Sequence, residues 1–142
     1  MRMATVVECE IDMDLIVGMD LIIGVDRTLP VTAHFSYSSG YPYQVVATFR
    51  HGEEKIATWV FCRRLLLEGA FRRAGQGDVR IWPDHARSLV CIGLSAPGGS
   101  SLLLAPAEAV FRWNDRMCRV VPPGTESDHV DLDREVAALL GG

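Results

Sequence analysis

The sequence predicts an α+β fold in which a run of β-strands followed by a helix occurs twice. Three observations carry this. Residues 5–17 alternate between apolar and polar or acidic side chains, residues 43–61 read as a β-hairpin, and residues 106–121 place apolar side chains at helical spacing. Strands and helices grouped in separate runs, rather than strictly alternating, are the pattern of an α+β domain.

The first element follows from period two. Val7, Cys9, Ile11, Met13, Leu15 and Val17 hold the odd positions, with Glu8, Glu10, Asp12 and Asp14 between them, so one strand face is buried and the other solvated. The outward carboxylates also discourage edge-to-edge aggregation. MDLIVG at 13–18 is followed at once by the near copy MDLIIG at 19–24. Six residues are too few for a solenoid unit, so the copy either lengthens the strand or forms a bulged hairpin through Gly18. After the Leu29-Pro30 turn, VTAHFSY (31–37) alternates as a second strand, and SSGYP (38–42) supplies turn residues.

YQVVATFR (43–50) and KIATWVF (55–61) flank the polar HGEE (51–54), which is a hairpin signal. CRRLLLEGA (62–70) changes to helix formers and predicts a short helix ending near Gly69. In the second half GDVRIWP (77–83), RSLVCIGLS (87–95) and SSLLLAP (100–106) read as three strands separated by PDHA and APGG. Pro106 suits the first turn of a helix. Val110, Asn114, Met117 and Val121, with Phe111 and Cys118 beside them, give that helix a mainly apolar stripe, which Pro122-Pro123-Gly124 ends. DLDREVAALL (131–140) predicts a last helix with Asp131 as N-cap, Asp133 and Glu135 at its positive end, and Leu132, Val136, Leu139 and Leu140 on its apolar face.

A chain of 142 residues makes one domain, 1–142, and buries about two thirds of the surface of its unfolded form. Hydrophobic residues at 49% and charged residues at 23% indicate an ordered soluble protein. The apolar stretch 15–25 is broken by Gly18, Asp20 and Gly24, well short of the roughly 20 residues that span a bilayer. Glu8, Glu10 and Asp12 stand where a signal peptide would need its apolar segment. A cytoplasmic protein is expected, reaching membrane only through a partner. Cys9, Cys62, Cys91 and Cys118 are widely spaced within apolar runs, without a CxxC pair, and read as buried free thiols rather than metal ligands.

The net charge of −4 is segregated: residues 1–26 hold six acids against Arg2, and 124–142 five against Arg134. Residues 63–87 carry Arg63, Arg64, Arg72, Arg73, Arg80 and Arg87 against three acids. A local basic stretch on an acidic body suits charge-guided protein contact or subunit packing better than broad phosphate binding.

Reaction chemistry is not visible. His34, His51, His85 and His129 are scattered, Ser95 in GLSAPG lacks nucleophile-elbow spacing, and neither HExxH nor a P-loop occurs. No catalytic, cofactor or metal residue is assigned, and no small-molecule substrate is expected. Two sets are candidates for partner binding. Asp78, Arg80 and Trp82 share one strand face, a composition found at binding hot spots; the alternative is a within-sheet ion pair with Trp82 at the core rim. Gly124, Thr125 and Glu126 belong to PPGTE, a rigid polar connection that either presents them to a partner or only sets the angle between two helices. Trp59 and Phe71 read as core.

WVF (59–61), LLLEGAFR (65–72), GDVRIWP (77–83), PPGTE (122–126) and DLDREVAALL (131–140) form an ordered series. In that order and spacing the chain, from about Leu29 to Leu140, resembles the SsgA-like proteins, regulators of sporulation and cell division in filamentous actinomycetes. The resemblance implies a whirly-like arrangement of two antiparallel β-sheets with helices, assembled as a homotrimer. It also implies a non-enzymatic adaptor, recruited to the septum, whose partners are the tubulin-like division protein FtsZ and other SsgA-like proteins. Two features depart from the family pattern: the second copy MDLIIG, and Arg64, where the family tends to carry an acid. Because the whirly-like fold is shared with single-strand binders, nucleic-acid binding through Trp59, Phe71, Trp82 and the neighbouring arginines is the alternative reading. Three copies of an acidic chain weigh against it.

Overall fold

In a computed structural model, which describes residues 3–20 and 25–130, seven antiparallel strands form one curled sheet. The elements are β1 (Val6–Asp20), β2 (Val25–Ser38), β3 (Gln44–His51), β4 (Glu54–Cys62), α1 (Arg63–Gly69), β5 (Val79–Asp84), β6 (Leu89–Ala96), β7 (Gly99–Pro106) and α2 (Ala107–Val120), followed by a 3-10 turn at Glu126–His129. Strand run, helix, strand run, helix is the order expected for an α+β chain. The helix read over 131–140 lies outside the described residues.

The spatial order is β4-β3-β2-β1-β7-β6-β5. The two strand runs are therefore recognisable as groups of four and three, but they do not stand as separate sheets. They are joined where β1 meets β7, at Asp14↔Leu104 and Leu15↔Leu103. Ladder pairing there is confined to two residues of each strand.

The tandem copy lengthens the first hairpin. β1 runs to Asp20 and β2 begins at Val25, with a register irregularity between Ile16 and Gly18. Alternation holds up to that irregularity: Ile11 and Met13 are buried, while Glu8, Glu10, Asp12 and Asp14 are exposed. Beyond it Val17 is 53% exposed. Two of these acids have cross-strand partners, since a His34 ring nitrogen lies 3.3 Å from Glu8 Oε1 and Thr32 Oγ1 donates to Asp12 Oδ1 at 3.2 Å.

The core lies between the inner sheet face and the two helices. Phe35, Tyr37, Val45, Ile81, Val90 and Ile92 come from strands, and Leu66, Val110, Trp113 and Met117 from helices. The α2 stripe is the one the sequence suggests, since Val110, Asn114, Met117 and Val121 are all buried. Its flank differs: Trp113, 1% exposed, packs on Phe35 with ring centroids 5.9 Å apart, while Phe111 on the other side is 42% exposed. Pro106 ends β7 and stands just before the first turn of α2. Of the thiols, Cys91 is buried, Cys9 and Cys118 partly so, and Cys62 is exposed, because Cys62 follows the inward-facing Phe61 on β4 and so takes the outward face. Burial pushes the Cys9 thiol up to about 11.

α1 lies so close to β5 that a Cβ on Gly69 would run into the Ile81 side chain, which is fully buried. Gly69→Ala is expected to cost about 1–3 kcal/mol, the usual range for overpacking, measured by urea unfolding. Gly98→Ala, where a Cβ meets nothing within 4 Å, serves as the neutral comparison.

Candidate functional site

The residue that organises the helical side of the molecule is Arg63, the first of α1. It is 2% exposed. Its backbone N–H bonds Tyr43 O at 2.8 Å, which continues the chain from β4 into the helix. Its guanidinium stands 5.2 Å from the Tyr37 ring centroid, donates to Met117 O at 3.3 Å, and donates to Glu126 Oε1 at 2.8 Å. A buried cation is tolerated only with such partners, and here they come from β2, α2 and the loop after α2. That hydrogen bond is the main reason the Glu126 carboxyl is held below the usual carboxylate range. Burial raises the Tyr37 phenol to about 12, and its hydroxyl donates to Pro42 O at 2.8 Å.

The loop is shaped to deliver Glu126. Gly124 adopts φ +90 and its N–H donates to Glu126 Oε2 at 2.9 Å, so both carboxylate oxygens are engaged. Thr125 Oγ1 donates to Pro122 O at 2.7 Å, which tightens the same turn. A second link fixes the helix pair: Asn114, buried on α2, donates to Leu66 O of α1 at 3.0 Å.

Between α1 and α2 the surface opens into a cleft of about 1120 Å³. Its apolar floor includes Leu67 and a stacked pair, Phe71 on Phe111, with centroids 5.5 Å apart and 18° between planes. Phe71 is 63% exposed and Tyr43, at one end, 52%. Phe71 is therefore not core. It follows the end of α1 and turns outward onto α2 instead of into the sheet. Trp59, by contrast, is half-buried and packs against the core. The rim carries Arg64, Arg72 and Arg112 with Glu68 and Glu108. Arg64 pairs loosely with Glu68 at 3.9 Å and Arg112 with Glu108 at 3.0 Å, exposed contacts of little energetic weight.

The six residues singled out from the sequence fall in two places. Glu126 lies on the cleft, with Gly124 and Thr125 in the turn that carries it. Arg80 and Trp82 lie together on β5, where Arg80 Nη2 donates to Ser95 Oγ at 3.4 Å and the Arg73 guanidinium covers Trp82 at 5.5 Å. Asp78 is exposed just before that strand. Gly93, opposite Arg80, leaves room for the indole to lie across β6.

The aromatic cleft was missed, although a signal existed. Glu108, Phe111, Arg112 and Asp115 share one helical face by their i, i+3, i+4 and i+7 spacing, so Phe111 stands as a lone aromatic among charges. Among the described residues no group of three or more potential metal ligands occurs, and no helix is long and apolar enough to cross a membrane.

Residues 31–126 match the family model described as Streptomyces sporulation and cell division protein, SsgA. The chain belongs to the SsgA family. The match ends at Glu126 and so takes in both partners of the Arg63–Glu126 pair and the whole cleft. A sporulation-specific cell division protein SsgB of Streptomyces coelicolor is 45% identical over 140 residues, 97% of this chain and 98% of that protein. The SsgB of Thermobifida fusca is 37% identical over 138 residues, 96% of each. A solved structure described under SsgB mutations that correlate with longitudinal cell division during sporulation of Streptomyces coelicolor has a TM-score of 0.81 at 44% identity, covering 91% of this chain and 98% of its own. The crystal structure of an SsgA-like sporulation-specific cell division protein from Thermobifida fusca gives 0.81 at 35% identity, covering 95% and 96%.

Glu126→Gln, which keeps the shape and removes the charge, is expected to cost roughly 1.5–3 kcal/mol at neutral pH, the range for a hydrogen bond to a charged group. A carboxyl held low in the folded state contributes stability that is complete above its ordinary value, near 4.3. That contribution fades as pH falls through the folded value, so the gap between wild type and variant should narrow on acidification, read by urea unfolding at each pH. Gly124→Ala should cost about 1–2 kcal/mol through its positive φ alone, measured in the same way.

Proposed function

We propose that this SsgA-family chain is a non-enzymatic adaptor of sporulation-specific cell division that docks a protein partner in the α1–α2 cleft. The observation that carries this is the exposed Phe71–Phe111 stack on the floor of a cleft of about 1120 Å³. Large exposed aromatics flanked by arginine are the composition of binding hot spots. An apolar surface of this kind on a folded domain marks an interaction site. The partner is the tubulin-like division protein FtsZ, met directly or through other SsgA-like proteins, and the action is to position or stabilise the division ring at septum sites. Glu126 on the cleft, the turn at Gly124 and Thr125 that holds it, and the Asp78, Arg80 and Trp82 face complete the contact surface. The adaptor works as a homotrimer with a whirly-like arrangement of its strands, in the cytoplasm, and is recruited to the septum by its partner.

Nucleic-acid binding has less support in the geometry. The Trp82 ring that would stack a base is already covered by Arg73, and Phe71 is stacked on Phe111.

The test is binding to purified FtsZ, alone and with other family members present, followed by co-sedimentation or light scattering. F71S and F111S are each expected to weaken association at least tenfold, the effect of losing a hot-spot residue of about 1.4 kcal/mol or more, with the unfolding midpoint little changed. Unaltered binding by the double variant F71S/F111S would remove the cleft from the proposal. Light scattering on the same samples gives solution mass; if the double variant instead dissociates a trimer, the cleft is where copies meet.

A further inference from the structure

The β1–β2 hairpin is far longer than the sheet that holds it. The two strands pair from Val6↔Ser38 to Asp20↔Val25. β3 pairs with β2 only from Thr32 to Ser36, and β7 meets β1 only at Asp14 and Leu15. Beyond Leu15 and Leu29 no third strand pairs with the hairpin among the described residues. Such a ribbon has little stability of its own in water.

The sequence that builds the extension is a copy of the sequence that precedes it. Met13, Asp14, Leu15 and Ile16 pair with Val31, Pro30, Leu29 and Thr28. Sliding β1 by six residues would bring Met19, Asp20, Leu21 and Ile22, the same four residue types, opposite those same partners. Six is even, so side chains that faced inward still face inward. Upstream, Met13, Leu15 and Val17 would take the places of Val7, Cys9 and Ile11, and all six are apolar. Backbone hydrogen bonds re-form along β2 between Thr28 and Ser38, because each residue brings its own N–H and C=O, while the pairs of the ribbon beyond Thr28 are given up.

The inner face changes in volume at the sites of Val7, Cys9 and Ile11, and the outer face changes in its polar links. In the observed one, Glu8 and Glu10 lie against His34 and Asp12 accepts from Thr32. In the shifted one Ile16 stands opposite His34 and Gly18 opposite Thr32, so those links are lost. Cross-strand polar links are individually small, and every inner-face exchange is apolar for apolar.

We infer that β1 has two registers on β2, six residues apart. The observed, extended register projects the ribbon and keeps Val6 to Ile11 in the sheet. The retracted register withdraws the ribbon, and residues 6–11 slide past Ser38 to leave the sheet at the opposite end. The tandem copy is thus a sliding device that changes which end of the hairpin is presented, independently of any partner at the helical cleft.

Disulfide trapping reads the register directly. Glu10 and His34 are paired in the extended register, so E10C/H34C should cross-link readily under mild oxidation. Positions 16 and 34 lie six strand residues apart there, about 20 Å, beyond the reach of a disulfide, but face each other after the slide. I16C/H34C is expected to form an intramolecular bond roughly ten to a hundred times more slowly than E10C/H34C, reflecting the Asp12–Thr32 link and the ribbon pairs given up, since His34 is replaced in both variants. Peptide mapping by mass spectrometry separates this bond from any involving the native cysteines. Removing residues 19–24 as a unit should abolish the 16–34 bond and leave the 10–34 bond intact, which also reports that the shortened chain folds. Absence of the 16–34 bond in the full chain, or its persistence after the deletion, would overturn the inference.

Discussion

A single guanidinium buried between a sheet and two helices sets the terms for the rest of the helical side. Taking Arg63 out of water is costly, and the cost is offset only where its planar fork meets acceptors already in place. Met117 O at the end of α2, Glu126 on the following loop and the face of Tyr37 from β2 meet that requirement together. No one of these elements can shift without leaving a buried charge short of partners. The spacing of α1 and α2, and with it the width of the cleft between them, follows from this junction and from the Asn114 link to Leu66. Because Glu126 is engaged through both oxygens, the loop that presents it is as constrained as the helix it serves.

The same junction accounts for the fate of the basic stretch. Six arginines between residues 63 and 87 look like one charged patch in sequence, yet the fold sends them apart. Arg63 goes inward to Glu126, Arg64 lies near Glu68, Arg80 reaches Ser95, Arg73 covers Trp82, and Arg87 pairs with Asp84 at 2.7 Å. What remains for a partner is an apolar cleft with a mixed-charge rim rather than a positive groove. That is a surface suited to protein, and it agrees with membership of a family of cell division regulators. The acids of β1 are likewise placed on the outer sheet face, away from the core, where His34 and Thr32 receive them.

Most of the fold was legible because local patterns were consistent with it. Period-two alternation placed β1 and its buried side, turn residues placed the β3–β4 hairpin, and the change to helix formers at residue 62 placed α1 within a residue or so. The duplicated hexapeptide was visible as a choice between a longer strand and a bulged hairpin, and both descriptions apply. Legibility failed where long-range contact overrode local pattern. The α2 stripe was placed correctly but its flank was not: Phe111 stands outside the core, and Trp113 on the other side is buried because its ring meets Phe35 of β2. Phe71 looked like core in an apolar run, but the chain turns at Gly69 against Ile81 and carries it outward.

By itself the sequence determined the strand and helix order, the buried face of β1 and membership of a family, since these depend on spacing between near neighbours and on ordered similarity along the chain. Tertiary structure alone decided that the two strand runs join through β1 and β7, that an arginine would be buried, and that two phenylalanines forty residues apart would stack in the open. The reason is physical: burial and pairing of a charge or an aromatic ring are properties of the surroundings assembled around it. Those surroundings come from segments whose separation along the chain leaves no periodic trace.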